Sequence, residues 1–578
     1  MIFEQALNYS VLLKLLTKTK SISQEAKGMA HKKITMKQLK TSFFFIVALL
    51  AITVKAQDKP NILFIMSDDH SAEAVGAYGS RLAVLNPTPT IDKLAEEGML
   101  MQNTFCTNSI CSPSRASILT GQYSGVNGVT TLGGKVPKEN QHLPNYLREA
   151  GYQTAVIGKW HLSTQPLAFN YFKVLKSQGK YFNPEFEVAG RDKKDLEQIK
   201  GHSSDVITDE VIDWLKSRDK TKPFFVKHHF KAPHGPFDAA PRYESYLADI
   251  EIPEPASLFD EGNHGSIATK GHNGELKPYI GSSVSDRARR SCVGNYLKKS
   301  DLKGNTATKE AYQIYLKKYL RCIKGVDDNI KRVVDYLKEE GIYDNTIIIY
   351  TSDQGFYLGE HDYVDKRWGY EEGARMPFII RYPKTIKAGK KSDAIIENVD
   401  FAPTLLDFAG IETPGVMQGK SFKSILKTGT EPKNWKQAAY YHYWLHMAHH
   451  EVPAHIAIRT KTHKLIQFYG VAPKGKPHPQ TPAAWELYDL VNDPHEMNNV
   501  YGQEAYLKIQ NQLKAQLKDL RAEHKEDDPK FEINKVIDEY WDYTDADYQK
   551  AVQISNAYIE NKNNMPVKSK KGKKKTKK

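Results

Sequence analysis

Hydrophobic residues along this chain follow two alternating patterns, short continuous apolar runs and longer stretches with a helical period. The apolar runs are typical of strands buried on both faces of a parallel sheet, and they cover 61–66, 154–157, 224–230 and 346–350. Amphipathic stretches that predict helices cover 143–150, 205–215 and 310–338. Residues 250–305 carry little apolar pattern and predict a polar surface insertion. The alternation predicts an α/β domain with a sheet flanked by helices.

The pattern changes past about residue 430. Short strands separated by turns are predicted at 456–460, 464–469 and 485–489, before a long helix over 504–524. We therefore expect a large domain over 57–430 and a small C-terminal subdomain over 431–545, in which an antiparallel sheet packs on a helix. Residues 546–578 are predicted to be a basic, disordered tail.

The formal net charge of +14 is concentrated at the two ends of the chain. Residues 568–578 contain eight lysines and no acid, and residues 1–56 contain nine lysines and two glutamates, a net charge of +7. Subtracting both from the total, 14 − 8 − 7 leaves −1 for residues 57–567. The body of the protein is nearly neutral, so the charge does not indicate a nucleic-acid partner.

The leader over residues 1–56 has the features of a secretory signal. Residues 36–40 are basic, residues 43–54 are apolar apart from Thr53, and Ala56 suits cleavage before Gln57. The apolar run is too short to span a bilayer, and no cysteine follows it that could carry a lipid. We expect an exported protein, periplasmic or secreted, without a stable membrane anchor, whose translation starts at Met36.

Cys111 stands at a predicted helix start. Pro113, which has a pre-set φ and no amide hydrogen, suits the first turn of a helix that continues through the apolar pair Ile118 and Leu119. A cysteine at such an N-terminus meets partial positive charge and free amides, an environment that favours reactive cysteines. A buried structural cysteine fits the local sequence equally well.

Acidic residues follow two of the predicted buried strands. Asp68 and Asp69 come after the first strand, and Asp353 and Gln354 come after the strand at 346–350. Sites in α/β proteins lie at the carboxyl ends of strands, and adjacent carboxylates there repel each other unless a cation neutralises them. Carboxylate and amide oxygens suit a hard cation such as Ca2+. An ordinary acidic loop after a strand is the alternative.

The stretch 111–121 resembles the formylglycine motif of the type I sulfatases, Cys-x-Pro-Ser-Arg-x-x-x-Leu-Thr-Gly, with every fixed position filled. Gly-Lys-Trp-His at 158–161 and Ala-Pro-His-x-Pro at 232–236 resemble two further motifs of that family, in family order. The resemblance implies the alkaline phosphatase-like fold, a large mixed sheet flanked by helices with a small C-terminal antiparallel sheet-and-helix subdomain. It also implies a sulfuric ester hydrolase.

The resemblance assigns roles residue by residue. A maturation enzyme would oxidise Cys111 to formylglycine (3-oxoalanine), whose hydrate attacks the sulfur of a sulfate ester. The resemblance implies Ca2+ held by oxygen ligands and by the modified cysteine, namely Asp68, Asp69, Asp353, Gln354 and Cys111. In addition, Arg115 would hold the attacking hydroxyl, and Lys159 and Lys366 would neutralise sulfate charge. His234 is the expected acid for the leaving oxygen, and His161 is the expected base.

The substrate class is a further expectation. The secretion signal together with this motif set resembles sulfatases of Bacteroidetes that degrade polysaccharides, and we expect a sulfated polysaccharide or oligosaccharide, first an algal one such as ulvan or carrageenan. Animal glycosaminoglycans are the alternative substrate. The alternative reaction is that of a formylglycine-dependent phosphonate or phosphate monoester hydrolase. A non-catalytic alternative is an inactive, carbohydrate-binding sulfatase homologue.

An aromatic segment near residue 445 supplies the candidate sugar contacts. Residues 440–450 concentrate tyrosine, tryptophan and four histidines. Tyr443, Trp444 and the nearby His455 are the residues that we predict to contact the sugar. Packing between the two domains explains the same aromatic composition equally well.

Overall fold

The computed structural model describes residues 59–288, 293–297 and 300–564. The predicted leader and the basic residues after 564 lie outside this part of the chain, so export and disorder of the last residues stay predictions. Within the described residues, the helices and strands follow the predicted order, with boundaries that differ by a few residues.

Strands occupy all the positions that the apolar runs predict, and there are further strands that the runs do not predict, including the long ones at 99–105 and 390–397. In chain order, the strands are β1 (Asn61–Asp68), β2 (Met99–Phe105), β3 (Gln153–Gly158), β4 (Tyr171–Leu175), β5 (Glu185–Val188), β6 (Glu197–Gln198), β7 (Phe224–Pro233), β8 (Thr346–Ser352), β9 (Tyr357–Leu358), β10 (Val364–Asp365), β11 (Phe378–Arg381), β12 (Lys390–Glu397), β13 (Ala438–Tyr443), β14 (His455–Thr460), β15 (His463–Phe468) and β16 (Ala484–Asp489).

Ten of these strands form one mixed sheet in the order β12-β2-β11-β8-β1-β7-β3-β4-β5-β6. Its centre, β8-β1-β7-β3, is parallel throughout, whereas β11 and β5 run antiparallel to their neighbours. The registers place Ser67 of β1 beside Ser352 of β8, and Gly158 of β3 beside His229 of β7. The carboxyl ends of four neighbouring strands therefore meet at one edge of the sheet.

Helices cover both faces of this sheet and surround the smaller one. They are α1 (Pro89–Glu96), α2 (Cys111–Thr120), α3 (Ser124–Asn127), α4 (His142–Glu149), α5 (Ser203–Ser217), α6 (Ile267–Lys270), α7 (Gly304–Glu339), α8 (Glu371–Ala374), α9 (Phe401–Phe408), α10 (Lys423–Thr428), α11 (Leu507–Glu523), α12 (Ile533–Glu539) and α13 (Asp545–Asn564).

Alternate side chains of the central strand β1 enter two separate cores, because successive residues of a strand point to opposite faces. Ile62 and Phe64 belong to a core that includes residues of α2, α4 and α9. Leu63 and Ile65 belong to the core that includes residues of α5 and α7. Both faces of β1 are therefore buried, which explains its continuous apolar run.

The C-terminal subdomain is an antiparallel sheet, β13-β14-β15-β16, with α11 and α12 packed on it, as predicted. The predicted tail is wrong in one respect, because residues 545–564 form α13. Ala551, Ser555 and Tyr558 of this helix are buried, and Ser555 Oγ donates a hydrogen bond to Glu275 at 3.0 Å. These contacts hold α13 on the 250–305 segment and fix a stretch that its composition marked as tail.

The predicted surface insertion is also more ordered than its composition suggests. Ile252, Leu258, Leu276 and Val284 are fully buried, and the short helix α6 lies among them along the chain. Apolar residues spaced this irregularly have no helical or strand period, so the sequence pattern could not reveal that they enter the core. No helix within the described ranges is both long and apolar enough to cross a membrane.

Gly158, the last residue of β3, lies too close to β7 to be replaced by a larger residue without a shift of the backbone. Its φ is +103°, and a Cβ there would overlap the carbonyl oxygen of His229 on β7. Gly151 also has a positive φ, +90°, but has open space around it. Gly151→Ala should therefore cost only the backbone strain, about 1–3 kcal/mol, and Gly158→Ala should cost about 1–3 kcal/mol more for the overlap.

Thermal unfolding of the two variants measures this difference. We expect the apparent Tm to fall further for Gly158→Ala than for Gly151→Ala. Equal Tm values for the two variants would show that β3 and β7 can separate without cost at this point, contrary to the packing described.

Candidate active site

The candidate site lies at the carboxyl edge of the four central parallel strands. Asp68 is the last residue of β1, Asp353 and Gln354 follow β8, and Lys159 follows β3. Because β8, β1, β7 and β3 are neighbours, their ends bring these side chains together, as the sequence predicts. The side chains of Asp68, Lys159 and Asp353 are completely buried.

Cys111 is the first residue of α2 and is buried. The preceding Ile110 has extended backbone angles, so the helix begins at Cys111 itself. Pro113 therefore lies in the first turn of the helix, as the sequence predicts. Every residue of α2 is buried. Ser114 fixes the first turn, because its Oγ donates to the carbonyl oxygen of Asp353 and accepts from Asn398 Nδ2 at 2.8 Å.

Arg115 joins the helix to all three strand ends. Its Nε donates to Asp353 Oδ2 at 2.9 Å, its Nη1 donates to the carbonyl oxygen of Lys159 at 2.8 Å, and its Nη2 lies 3.5 Å from Asp68 Oδ1. Cys111 Sγ lies 3.4 Å from the same Asp68 oxygen. The guanidinium thus orients two carboxylates beside the cysteine.

Two lysines neutralise the adjacent aspartates. Lys159 Nζ forms an ion pair with Asp68. Lys366, which directly follows the short hairpin β9-β10, places its Nζ 2.6 Å from both carboxylate oxygens of Asp69. Burial opposes the charge on Lys366, but Asp69 and Cys111 raise its pKa above the usual range, so the lysine stays protonated.

The carboxylates and the amide fit a metal ion. One oxygen from each of Asp68, Asp69 and Asp353 lies within 4.8 Å of the others. Gln354 Oε1 is buried without a hydrogen-bond partner, which is costly unless a ligand completes it. Burial and the charge on Asp68 raise the pKa of Asp353 to about 7. A bound cation would lower this pKa and stabilise the carboxylate. All four donors are oxygens, which suits a hard cation.

The cysteine itself is poorly suited to act as a thiolate. Burial and the negative charge of Asp68 raise the pKa of Cys111 to about 12, so the thiol is neutral near pH 7. Reactive cysteines have the opposite surroundings, which lower their pKa. The helix start alone therefore does not activate this side chain, and the neighbouring carboxylates outweigh it.

The two candidate histidines differ in their surroundings. Burial and Lys159 lower the pKa of His161 to about 2, so its ring is neutral, and its buried Nδ1 has no hydrogen-bond partner. His234, with a side chain 22% exposed, follows β7 and places its Nε2 3.8 Å from Asp69 Oδ2. Burial and Lys159 also lower the pKa of His234 well below its usual range.

Sequence reasoning missed two residues of this site. Gln178, in the loop after β4, accepts a hydrogen bond from Lys159 Nζ at 2.6 Å. Lys231, near the end of β7, donates to the carbonyl oxygen of Gln178 at 3.1 Å. Burial and Lys159 lower the pKa of Lys231 to about 8, so this lysine can release a proton near neutral pH. A lysine three residues before the His234 motif position was the available signal.

The three residues predicted to contact the sugar do not reach the surface. Tyr443 and His455 are 0% exposed and Trp444 is 1% exposed. The ring of His455 packs 4.7 Å from Phe468 and 5.5 Å from Tyr443, and Trp444 stacks on His442 at 3.7 Å. These contacts lie within the C-terminal subdomain, and His455 also stacks on Trp368 of the large domain with ring centroids 6.4 Å apart. Aromatic packing, within the subdomain and between the domains, therefore accounts for this segment.

Comparison with known proteins identifies the family. The sulfatase family profile matches residues 60–411, and a profile described as N-sulphoglucosamine sulphohydrolase, C-terminal, matches residues 359–523. The chain therefore belongs to the sulfatase family, and its fold is that of the alkaline phosphatase-like superfamily. It is an enzyme, a sulfuric ester hydrolase.

Individual relatives narrow the comparison. An N-acetylglucosamine-6-O-sulfatase of Bacteroides thetaiotaomicron is 42% identical over 507 residues, covering 82% of this chain and 88% of the relative. An ulvan-active sulfatase of Formosa agariphila is 27% identical over 496 residues, covering 82% and 83%. A protein solved in complex with its substrate, D-glucosamine-2-N,6-O-disulfate, superposes on this chain with a TM-score of 0.72. The two sequences are 41% identical, and the match covers 82% of this chain and 99% of that chain.

Removing one carboxylate should remove the metal. Asp353→Ala deletes one of three converging aspartates and frees Arg115, so calcium bound after reloading with Ca2+ should fall from about one ion per chain to less than about a tenth. Elemental analysis after dialysis against chelator and reloading measures this. Asp542→Ala, whose side chain is 97% exposed, is the matched control and should bind metal like the native protein. Full metal content in Asp353→Ala would contradict the assignment of these ligands.

Proposed function

We propose that this sulfatase removes the 6-O-sulfate from glucosamine residues of glycosaminoglycan fragments, using Ca2+ and a formylglycine that a maturation enzyme makes from Cys111. The relative that is 42% identical is an N-acetylglucosamine-6-O-sulfatase, whereas the ulvan-active relative is only 27% identical. These similarities favour the glycosaminoglycan alternative over ulvan or carrageenan. Export to the periplasm or the medium, where such fragments would be met, is part of the proposal.

The observation that carries the reaction is the position of Cys111 among opposite charges. Its Sγ lies 3.4 Å from Asp68 Oδ1, and Lys159 and Arg115 form ion pairs with this aspartate. Lys366 forms an ion pair with the neighbouring Asp69. This arrangement places a nucleophile's precursor, a cation site and anion-binding groups within one buried centre. An inactive carbohydrate-binding homologue would not require all of these polar groups, and their burial would be costly without a function.

Each polar group around Cys111 has a role in the proposed reaction. Formylglycine would supply a hydrated aldehyde as nucleophile, and Ca2+, for which the all-oxygen donor set is suited, would supply a Lewis acid beside it. Lys159 and Lys366 would neutralise charge on the sulfate oxygens. Arg115 would hold the nucleophile in line by keeping its present contacts to Asp68 and Asp353. His161 is neutral and its buried Nδ1 has no hydrogen-bond partner, so this nitrogen can accept a proton. A bound sulfate beside it would raise the pKa of His161 toward the range that a base needs.

The leaving sugar oxygen needs a proton, and two groups could supply it. His234 is half-buried and close to Asp69, but its lowered pKa favours the neutral ring, which is unsuited to donating a proton until substrate binds. Lys231, with a pKa of about 8, carries its proton at pH 7. The charges therefore make Lys231 a second candidate acid beside His234.

A polar rim beside Lys366 supports recognition of a sugar. Asp365 and Arg367 flank this lysine, both with positive φ, and form an ion pair with each other. His450 Nε2 lies 3.4 Å from Asp365 Oδ1, and the side chains of His450 and Asp365 are 28% and 13% exposed. Carboxylate, guanidinium and imidazole groups next to the sulfate-binding lysine can hydrogen-bond sugar hydroxyls. We propose that these residues, rather than Tyr443, Trp444 and His455, contact the sugar.

A substrate comparison tests the proposed function. The native enzyme should release sulfate from 6-O-sulfated glucosamine at least about tenfold faster than from sulfated ulvan or carrageenan oligosaccharides. Cys111→Ala should release none, because it removes the nucleophile's precursor. In the active enzyme, mass spectrometry should show a Cys111 peptide lighter by about 18 Da, the thiol-to-aldehyde change.

Cys322→Ala, another buried free cysteine, serves as the matched control and should keep the lighter Cys111 peptide. An unmodified thiol in fully active enzyme would refute formylglycine. Faster release from algal oligosaccharides than from 6-O-sulfated glucosamine would refute the substrate while leaving the reaction intact.

The leaving group distinguishes the two candidate acids. A sugar alkoxide leaves poorly without a proton and a nitrophenolate leaves well, so loss of the acid should slow sugar desulfation by roughly 10²–10⁴-fold and aryl sulfate cleavage much less. We expect this pattern for His234→Ala or for Lys231→Met, measured with 6-O-sulfated glucosamine and 4-nitrophenyl sulfate. His161→Ala should slow both substrates, because a base does not act on the leaving oxygen. Equal losses on both substrates for His234→Ala and for Lys231→Met would exclude both as the acid.

A further inference from the structure

A second cluster of metal-ligating side chains lies outside the active site. It consists of Asp260 and His264 from the 250–305 segment and His361 from the loop between β9 and β10. One ligand atom from each residue lies within 4.8 Å of the other two. Both histidine side chains are completely buried and the aspartate side chain is 10% exposed.

The ring nitrogens of this cluster are incompletely satisfied. His264 Nδ1 lies 2.7 Å from Asp260 Oδ2, but His264 Nε2 has no hydrogen-bond partner. Neither nitrogen of His361 has a hydrogen-bond partner, and its Nδ1 is 3.7 Å from the same Asp260 oxygen, beyond hydrogen-bonding distance. Buried polar groups in proteins are almost always paired, so three free nitrogens in one cluster point to a missing ligand.

The two rings are held face to face. The His264 and His361 ring centroids are 3.7 Å apart. Tyr363 and Tyr370 pack against the His264 ring in T-shaped contacts, with ring centroids 5.7 Å and 5.0 Å away. The His361 backbone N–H donates to Ser257 Oγ at 3.0 Å. Packing keeps both imidazoles away from solvent. Because the lone pairs of stacked rings lie in nearly parallel planes, one ring would have to tilt for both histidines to bind the same ion.

The donor set indicates which ion it would bind. Two imidazole nitrogens and one carboxylate oxygen suit Zn2+, which is bound tetrahedrally with a water in the fourth position where the protein supplies three ligands. Ca2+ and Mg2+ prefer oxygen ligands throughout. We propose that Asp260, His264 and His361 form a zinc site, separate from the calcium site of the catalytic centre.

A cavity of about 520 Å³ lies beside the cluster, and Ser257 and Glu360 are among its lining residues. Ser257 contacts the His361 backbone, and Glu360 is the residue before His361. None of the three proposed ligands lines the cavity itself, and the charge of its carboxylates is offset by three arginines of its lining, Arg81, Arg375 and Arg459. An ion would therefore have to pass Ser257 and Glu360 to reach the histidines.

The zinc would join two segments that are far apart in sequence. Asp260 and His264 belong to the segment that packs over the site loops, and His361 lies five residues before Lys366. His361 has a left-handed backbone, with φ of 55°, a conformation that costs free energy in a non-glycine residue. A metal bond at this residue would hold the loop in that conformation and so keep the Lys366 loop in place.

Metal analysis tests the proposal on the calcium-saturated full chain. After dialysis against Zn2+ and removal of free metal, the native protein should hold about one zinc per chain. His264→Ala and His361→Ala should hold less than about a tenth of that while retaining calcium. Added Zn2+ should raise the Tm of the native protein by about 5 °C and leave the Tm of both variants unchanged.

His495→Ala is the matched control, because His495 lines the same cavity but lies outside the cluster. It should keep both the zinc and the shift in Tm. Equal zinc contents in the native protein and His264→Ala, or no zinc in the native protein, would overturn the proposal.

Crystals of the native protein grown with Zn2+ decide the matter if both variants fail to fold. An anomalous peak at the zinc edge among Asp260, His264 and His361 would support the site. A zinc peak only beside Asp68 and Asp353, or none, would overturn it.

Discussion

The structure depends on the balance of buried charge at the carboxyl edge of the central sheet. Three carboxylates, Asp68, Asp69 and Asp353, face three cations, Arg115, Lys159 and Lys366, so their formal charges sum to zero. Removing any one partner would leave an uncompensated buried charge, which typically costs 3–5 kcal/mol. A divalent cation added to this balanced set leaves the centre with a charge of +2, and such a centre attracts a sulfate monoester and holds the divalent sulfate anion.

This balance also explains why the cysteine sits where it does. A thiolate here would be buried and would add a fourth negative charge beside Asp68. Burial and, second to it, the charge of Asp68 raise the pKa of Cys111 to about 12, so the thiol stays neutral. The site is therefore not organised for thiolate chemistry, although a helix N-terminus by itself would favour it. The proposed conversion of Cys111 to formylglycine would remove that conflict, because its neutral hydrate adds no charge until a base or metal acts on it.

The sequence predicted the parts of the site that depend on strand ends. Asp68, Lys159 and Asp353 each follow a buried apolar run, and parallel strands place their carboxyl ends together, so their meeting could be inferred from the order of the runs. Gln178 could not be found this way, since its contacts with Lys159 and Lys231 depend on the loop after β4 returning over β7. Lys231 directly follows the apolar run 224–230, so the same argument applies to this lysine, which the prediction nevertheless left out. The aromatic segment 440–450 misled for a related reason. Composition shows that rings are present, but only the pairing of β13 with β14 shows that they face inward.

The 250–305 segment shows how a polar stretch can still determine a catalytic loop. Arg287 donates to Asp362 at 2.7 Å and Ser285 Oγ donates to the same carboxylate at 2.6 Å, while Ser257 receives the His361 amide. These contacts hold the residues between β9 and β10 in left-handed conformations that the loop would not adopt alone. Lys366 follows this loop and β10 directly in the chain. The position of Lys366 thus depends on polar contacts from outside the central sheet, whereas Lys159 takes its position from the sheet itself.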